Sequence, residues 1–597
     1  MPLTVSQPVH MRFILAALIL VTGLTAGCRT PEAFRRNVDT HARQIITQTR
    51  SQVLDTETGF CVEKPEDTLR RRLLERLSLP VAGPASFGTD RLPVIAHWPE
   101  PGFPASFSDT GNDPQALLSP LTLTLFQALE IGARNSFDYQ TRKEAVFQAA
   151  LALYLEQDYF RNRFIGQVQQ LFSADLSTDP GQKGTRSSVD MTGERQLESG
   201  AALTTSLAVD LATLLFSGGG SSVGIAGDVS LSIPLLRGSG AHIVTENLRQ
   251  DEQNLVYAIL EFERFKKTFA VAVGRQYLNL LQQMDTVDNA REDYSRREAL
   301  TRRSRRLGDA GRLKEIQVDQ SVQTQLVARQ RWLSAEESFK KQMDSFKILL
   351  GLPPDADIQL DPESISQMKK RQDMVLDDPG PLELAEQTAI SLGLERRLDL
   401  QIAQAKVFDA QRKVVVAADA LGAELTFLGS ASAGERRTIT SADLDNAVLR
   451  MDKGVFSALL TLDLPFERTA EAITYRNRFI ELAQAVRDVQ KLEDTVKIEI
   501  RNRLRELFEA RKTLVIQAQA VALAEKRVRS ISLFMEAGRA ETRDLLEAQD
   551  SLLTAQNSLT AARVDYRIAE LEIQRDMGVL VVTDNGLWKE YLSEGSF

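Results

Sequence analysis

The feature that most constrains the fold is a long internal repeat. Residues 128–149 recur in residues 389–410 at a constant offset of 261, with eight matched positions and no gap. Farther along, residues 310–351 recur in residues 537–578 at an offset of 227. A repeat of this length predicts two copies of one supersecondary unit. The first copy is longer by 34 residues, and we assign the surplus mainly to its strand region.

Each copy contains a helical stretch that is too long for a compact globule. Residues 240–305 and 469–535 contain no proline and carry apolar residues every three to five positions, which is the spacing of a seam against neighbouring helices. At 1.5 Å per residue, a helix of about 66 residues is roughly 100 Å long. These stretches therefore predict long, partly solvated helices.

Strand-like alternation separates the helices in each copy, around residues 185–236 and 423–466. One face of these segments is apolar and the other is small or polar, as in strands between lipid and a wet lumen. A half-buried soluble sheet would look similar. We expect two strands in each copy and four in each chain, too few to close a barrel without exposed edges. Three chains would then supply twelve strands.

The N-terminus has the features of an export signal. A short n-region, Met11 and the basic Arg12, precedes an apolar run at residues 13–21, which is too short to span a bilayer. The run ends in Leu-Thr-Ala-Gly before Cys28, which resembles a lipoprotein signal box. The resemblance implies a signal peptide at residues 1–27 and a lipid, diacylglycerol with palmitate, on Cys28. Because residue 29 is Arg and not Asp, it also implies an outer-membrane address.

Composition excludes several other classes of protein. The net charge of −9 argues against a nucleic-acid partner. The four histidines are scattered without ligand spacing, so we expect no metal site and no cofactor. No arrangement of catalytic residues stands out, which favours a protein that is not an enzyme. Prolines between residues 80 and 104 indicate that residues 28–119 form an extended lead-in.

Together these features resemble the TolC-like outer-membrane efflux family over residues 120–580. The diagnostic parts are the duplicated Ala-x-x-x-Gly opening helix, Pro234 and Pro465 after the strands, and two glycine-bearing turns. The resemblance implies a mainly α protein with a transmembrane β-barrel, built as a homotrimer with twelve strands and a long periplasmic α-helical barrel. It divides the chain into a first repeat at 120–355, a second at 380–580 and a tail at 581–597.

The two glycine-bearing turns are candidate contact sites for a partner. In the family they lie at the periplasmic tips, where a membrane-fusion adaptor docks, and glycine suits a sharp helix reversal. A simple interhelical turn is the alternative interpretation. The candidate tip residues are Gly311, Arg312, Leu313, Gly538, Arg539 and Ala540.

Two carboxylates after the second turn match acidic positions at the closed aperture of the family. Asp544 and Glu547 are three residues apart on one helix face, and threefold symmetry would stack them into negatively charged rings. The equivalent residues of the first copy are Gln317 and Gln320, so only one copy supplies acid. Ordinary surface carboxylates remain the alternative.

A basic run precedes the first turn. A solvated helix face is one interpretation of it, and electrostatic guidance of an acidic adaptor tip is the other. Its members are Arg296, Arg297, Arg302, Arg303, Arg305 and Arg306.

We therefore expect a passive exit duct in the outer membrane, lipid-anchored and extending into the periplasm, that receives substrates from an inner-membrane transporter through an adaptor. The alternative is a lipid-anchored coiled-coil spacer in the periplasm with no channel. The alternating strands distinguish the two, because a spacer does not need them.

Overall fold

A computed structural model describes most of the chain. The predicted signal peptide, Cys28, Pro465 and Gly538 lie outside the described residues. The described residues are 30–54, 60, 62–63, 68–100, 121–175, 182–215, 220–361, 363, 380, 382–464, 466–537 and 539–589.

The described part of the chain is mainly helical, as predicted. The helices are α1 Pro31–Leu54, α2 Leu69–Arg76, α3 Leu125–Asn135, α4 Phe137–Tyr159, α5 Ala241–Val244, α6 Glu246–Asp309, α7 Glu315–Leu349, α8 Glu386–Arg396, α9 Leu398–Asp419, α10 Thr469–Glu536 and α11 Thr542–Asp576. The strands are β1 Leu121–Leu123, β2 Arg163–Asp175, β3 Gln182–Gln196, β4 Ala202–Leu214, β5 Ser221–Pro234, β6 Ile358–Leu360, β7 Glu424–Glu435, β8 Val455–Asp463, β9 Val581–Val582 and β10 Trp588–Lys589.

The lead-in is not simply extended. It contains α1, of 24 residues, and the shorter α2. The prolines that suggested an extended segment begin only at Pro80, whereas α1 has its one proline at the first helical position, where proline is tolerated. Ala42, Ile46 and Arg50 form its buried face.

The contacts divide the chain into two compact units. The first takes in residues 1–57, 147–258 and 404–487, and the second takes in 58–146, 259–403 and 488–597.

The first unit contains one continuous sheet of six antiparallel strands, in the order β2-β3-β4-β5-β7-β8. The second copy supplies the expected two strands, β7 and β8. The expected two in the first copy, and four per chain, are wrong, because four strands lie between α4 and α5. Sequence analysis missed β2 because its apolar residues, at positions 164, 165, 168, 171 and 172, follow the period of a helix.

The two faces of this sheet differ in chemistry, because residues that are paired across antiparallel strands share a face. The polar face carries small, hydroxyl and charged side chains, among them Asp190, Asp210, Asp228, Ser230, Ser432 and Ser457. The opposite face is mostly apolar and carries Phe164, Val168, Leu207, Val209, Leu231, Phe427, Phe456 and Leu460. The predicted alternation is therefore present in β4, β5 and β8, whereas β2 also carries Ile165 and Leu171 on the polar face.

The segment between β7 and β8 folds back over the polar face. Arg436 forms ion pairs with Asp190 and Asp210, and the backbone N–H of Arg437 donates to Asp210 at 3.1 Å. Arg186 on β3 donates to the same carboxylate at 2.9 Å. Because Asp210 is fully buried, its partners supply the hydrogen bonds that water would otherwise provide.

A small apolar cluster packs this segment against the sheet. Ile439 packs against Ala212 and Leu214 of β4, and the hydroxyl of Ser222 donates to the backbone carbonyl of Ser441 at 3.0 Å.

The second unit is a helical assembly with a core along its long helices. Val496, Ile500 and Leu504 of α10, which the sequence placed on the packing seam, are at most 3% exposed. They pack with Ala389 and Ile390 of α8, among others. The apolar seam predicted for α10 is therefore present.

None of the helices in the described part of the chain combines the length and the hydrophobicity that crossing a bilayer requires.

Two glycines in the second unit bring helix ends against earlier helices. Gly351 and Gly578 both have a φ of +74° and follow α7 and α11. A Cβ on Gly351 would lie 2.0 Å from the carbonyl oxygen of Asn135, and one on Gly578 would lie 2.7 Å from that of Arg396. Both glycines are needed because the backbone approach leaves no room for a side chain.

We expect Gly578→Ala to destabilise the protein by about 2 kcal/mol, because alanine would meet both the positive φ and the carbonyl of Arg396. The measurement is the thermal unfolding midpoint of detergent-purified protein. Gly83→Ala is the matched control, since its backbone is extended and a Cβ there has no neighbour within 4 Å. Equal midpoints for the two variants would contradict the packing role of Gly578.

Candidate functional site

The first candidate tip joins α6 to α7 through a tight turn. Gly311 has a φ of +67°, and the backbone N–H of Arg312 donates to the carbonyl of Leu307 at 2.8 Å. Such a hydrogen bond closes a helix end with a left-handed residue. Arg312 is exposed and Leu313 is half-buried, so the turn is open to solvent in the single chain.

The second candidate tip, between α10 and α11, closes in the same way. The backbone N–H of Arg539 donates to the carbonyl of Phe534 at 2.8 Å, which reproduces the hydrogen bond of the first tip 227 residues later. Arg539 is exposed and Ala540 is half-buried. The two turns share this hydrogen bond as well as sequence.

Exposed apolar side chains near the tips were not singled out by sequence analysis. Ile316 is 64% exposed, Leu533 61% and Phe534 52%. Their spacing does not distinguish them from apolar residues that pack between helices, because burial depends on where the neighbouring helices lie. The tips therefore offer apolar as well as basic surface.

Asp544 takes part in the N-terminal cap of α11. Its side chain accepts a hydrogen bond from the backbone N–H of Glu541 at 3.1 Å, and the Glu541 side chain accepts one in return from the backbone N–H of Asp544. A capping box of this kind stabilises the start of the helix. Asp544 nevertheless remains exposed, so its carboxylate can still interact with a neighbouring molecule.

Glu547 lies one turn farther along α11 and pairs with Arg527 of α10 at 3.1 Å. Both side chains are about half exposed or more, at 61% and 49%, so the pair contributes at most about 1 kcal/mol. Leu545 and Leu546 between the two acids are buried. The structure therefore places Asp544 and Glu547 together on the exposed side of α11, as predicted from their spacing.

A third acid, Asp550, continues the series and was missed. It accepts hydrogen bonds from Arg297 of α6 at 2.9 Å and from Arg331 of α7 at 2.7 Å. Arg297 is 2% exposed and also donates to Asp293 at 2.8 Å. The three-residue spacing from Glu547, together with an arginine four residues after an aspartate, is the sequence signal that could have identified this network.

The basic run has one buried member, Arg297, and five exposed members. The interpretation of the whole run as a solvated face is wrong for this residue, because its position faces α11 and not water. The exposed members are Arg296, Arg302, Arg303, Arg305 and Arg306.

Further polar contacts join α6 to α11 away from the tip. Asn289 donates to Asn557 at 2.9 Å, and the hydroxyl of Thr560 donates to the carboxylate of Asp285. Removing one partner from a buried polar pair leaves the other unsatisfied, which costs more than the pair itself contributes. The two helices are therefore held in one register by specific groups and not by apolar contact alone.

The described residues contain no group of histidine, cysteine or acidic side chains that could hold a metal ion.

We expect Arg297→Ala to lower stability by about 3 kcal/mol, because it leaves the buried Asp293 without its counter-ion. Arg296→Ala is the matched control, since its exposed pair with Glu292 contributes little. Thermal unfolding of both variants in detergent compares them directly. If both variants unfolded at the wild-type temperature, the Arg297 network would not contribute to the stability of the fold.

No protein-family model and no curated protein matches the sequence. Solved structures do match, and they are TolC-family outer-membrane efflux channels. The Campylobacter jejuni CmeC outer membrane channel is 13% identical, with 76% of this chain and 85% of that chain covered and a TM-score of 0.53. The outer membrane protein VceC of Vibrio cholerae is 14% identical, with 76% and 96% covered and a TM-score of 0.54.

The open state of the Neisseria gonorrhoeae MtrE outer membrane channel is 12% identical, with 76% of this chain and 88% of that chain covered and a TM-score of 0.52. At these identities the likeness concerns the fold. The resemblance to the TolC-like channel fold that the sequence suggested is thereby confirmed.

Proposed function

We propose that the chain forms a homotrimeric outer-membrane exit duct of a tripartite efflux or secretion system. It conducts substrates passively after an inner-membrane transporter and a periplasmic adaptor hand them over. The observation that carries this proposal is the two-faced six-stranded sheet, within a fold shared with outer-membrane channels.

The exposed apolar face of the sheet is the strongest support. Phe164, Phe172 and Phe456 are 78%, 72% and 70% exposed in the single chain, and Leu460 is 60% exposed. An apolar face of this kind is unfavourable in water and favourable against lipid acyl chains. A coiled-coil spacer, the alternative function, has no use for such a face.

Lipid anchoring on Cys28 remains part of the proposal. The support is the signal box in the sequence, and Pro31 begins a regular helix only three residues later. The protein would then be held at the outer membrane by its lipid as well as by its sheet, with the helical unit in the periplasm.

The internal duplication also belongs to the proposal. The hydrogen bonds of the two tips and the contacts of Gly351 and Gly578 recur at the offsets found in the sequence. Two copies of one unit, each with its own tip, would give a threefold assembly six tips for an adaptor.

We infer that Asp544 and Glu547 line the periplasmic aperture. Their position on the exposed side of α11 supports this, because threefold symmetry would bring three copies of each acid around one axis. Opening would require α11 to move relative to α6 and α7, and the ion pairs of Asp550 with Arg297 and Arg331 would resist that movement.

Purified wild-type protein in a planar lipid bilayer should conduct ions. Replacing Asp544 and Glu547 by alanine should raise the conductance and lower the preference for cations, because the rings of negative charge are removed. We expect a change of about two-fold or more in the ratio of cation to anion permeability. Gln317→Ala with Gln320→Ala is the matched control at the equivalent positions of the first copy. A wild-type protein without conductance would count against the duct itself.

For the adaptor, we expect Arg302→Glu with Arg303→Glu to weaken binding about ten-fold, mainly by slowing association, because charge guides the encounter. Both side chains are exposed and lie just before the first tip. Binding of the purified cognate adaptor by surface plasmon resonance at low and high salt measures this. Lys340→Glu with Lys341→Glu makes the same charge change on exposed residues of α7. Unchanged adaptor affinity in the arginine variant would remove the electrostatic hypothesis.

A further inference from the structure

The six-stranded sheet has two free edges. Within the part of the chain that the structure describes, β2 pairs only with β3 and β8 pairs only with β7. Each outer strand thus presents one row of backbone N–H and C=O groups with no strand beside it. In a bilayer such groups need partners, because hydrocarbon offers no hydrogen bonds.

The direction of the strands makes the two edges fit each other. Every neighbouring pair in the sheet is antiparallel, and the number of strands is even. β2 and β8 therefore run in opposite directions. When β8 of one copy lies beside β2 of the next, the antiparallel pattern continues without interruption.

The faces match as well. On the apolar face, β2 carries Phe164 and Val168, while β8 carries Phe456 and Leu460. The polar face of both strands includes hydrogen-bonding side chains, Gln167 and Gln169 on β2 and Ser457 and Thr461 on β8. Joining the edges therefore keeps the apolar face continuous and sets polar side chains beside polar ones on the other face, which also carries Ile165, Leu171, Val455 and Leu459.

A barrel of four strands per copy would require β4, and not β2, to be the edge strand that meets the next copy. β8 of one copy would have to pair with β4 of the next, but β3 already occupies that edge of β4 over thirteen residue pairs. Freeing β4 would break this ladder and expose its backbone groups. The β2–β3 hairpin therefore belongs inside the barrel wall and is not an appendage beside it.

We infer that β8 of one copy pairs with β2 of the next, so that three copies of the six-stranded sheet close an eighteen-stranded barrel in place of the twelve strands expected from the sequence. This rests on the proposed trimeric duct. All six strands have nine or more residues, the length that a tilted strand needs to cross the hydrocarbon. The circumference grows with strand number, so the lumen would be about half as wide again as with twelve strands.

Disulfide trapping in outer membranes tests the pairing. The full-length chain carries Cys61→Ser, which leaves Cys28 for the lipid, and Ser457→Cys on β8. This variant is combined in turn with a cysteine on the same face of β2, at residue 165, 167, 169 or 171, to scan the register. After mild oxidation, at least one combination should give crosslinked dimer and trimer bands on denaturing gels without reductant.

Four control pairs use the same Ser457→Cys. Ser430→Cys lies directly across from it within one chain, with the two native hydroxyl oxygens 2.6 Å apart, so an intrachain disulfide shows that oxidation works. Val168→Cys lies on the opposite face of β2 and should not crosslink. Thr204→Cys or Ala208→Cys on β4 should crosslink between chains only if β4 is the edge of the barrel.

The outcomes separate the pairing from the function. Crosslinks from β8 to β2, with none to β4, support the eighteen-stranded barrel. Crosslinks from β8 to β4 overturn the eighteen-stranded barrel, and so does the absence of crosslinks from β8 to β2 when the Ser430 control disulfide forms. In either case the exit duct still stands if the reduced variants conduct ions in a planar bilayer. Loss of both crosslinks and wild-type conductance would remove the duct as well.

Discussion

In the membrane location proposed for the sheet, each backbone amide must find its hydrogen-bond partner within the protein, because hydrocarbon offers none. This requirement accounts for a sheet in which every strand pairs with its neighbour in sequence or across the repeats, and for the long ladders, up to thirteen residue pairs, that join them. It also gives the two outer strands their importance. The chemistry of the faces then follows from what lies on each side of the ladder.

The helical unit is held by a different balance of forces. Its core is apolar, but α6 and α11 are also joined by partly buried polar contacts, of which the network of Arg297 and Asp550 lies closest to the tips in sequence. A buried arginine costs several kcal/mol to desolvate and is stable only while its carboxylate partners remain in place. Such contacts specify one arrangement of the helices and make other arrangements unfavourable until several bonds break together.

Sequence reasoning succeeded where one physical signal was uninterrupted. Long proline-free stretches predicted α6 and α10, and glycine between two helices predicted the tight reversal at Gly311. The spacing of Asp544 and Glu547 correctly placed both on one side of α11. These features depend on local geometry, which a single sequence records directly.

The failures arose where local pattern and tertiary context disagreed. The apolar residues of β2 follow the period of a helix, yet they lie in a strand, because thirteen residue pairs with β3 supply its backbone hydrogen bonds. Arg297 resembled its exposed neighbours, and only the position of Asp550 on another helix explains its burial. Neither outcome can be read from spacing, since each depends on residues far away in the chain.

The even number of strands has an evolutionary consequence. A hairpin added to an antiparallel sheet returns the chain to the end from which it left, so the β2–β3 pair precedes β4 without redirecting the helices on either side. An insertion of one strand would leave the following helix at the opposite end of the sheet. Families built on such sheets can therefore gain or lose strands only in pairs, so the sheet can widen while the helices on either side of it keep their direction.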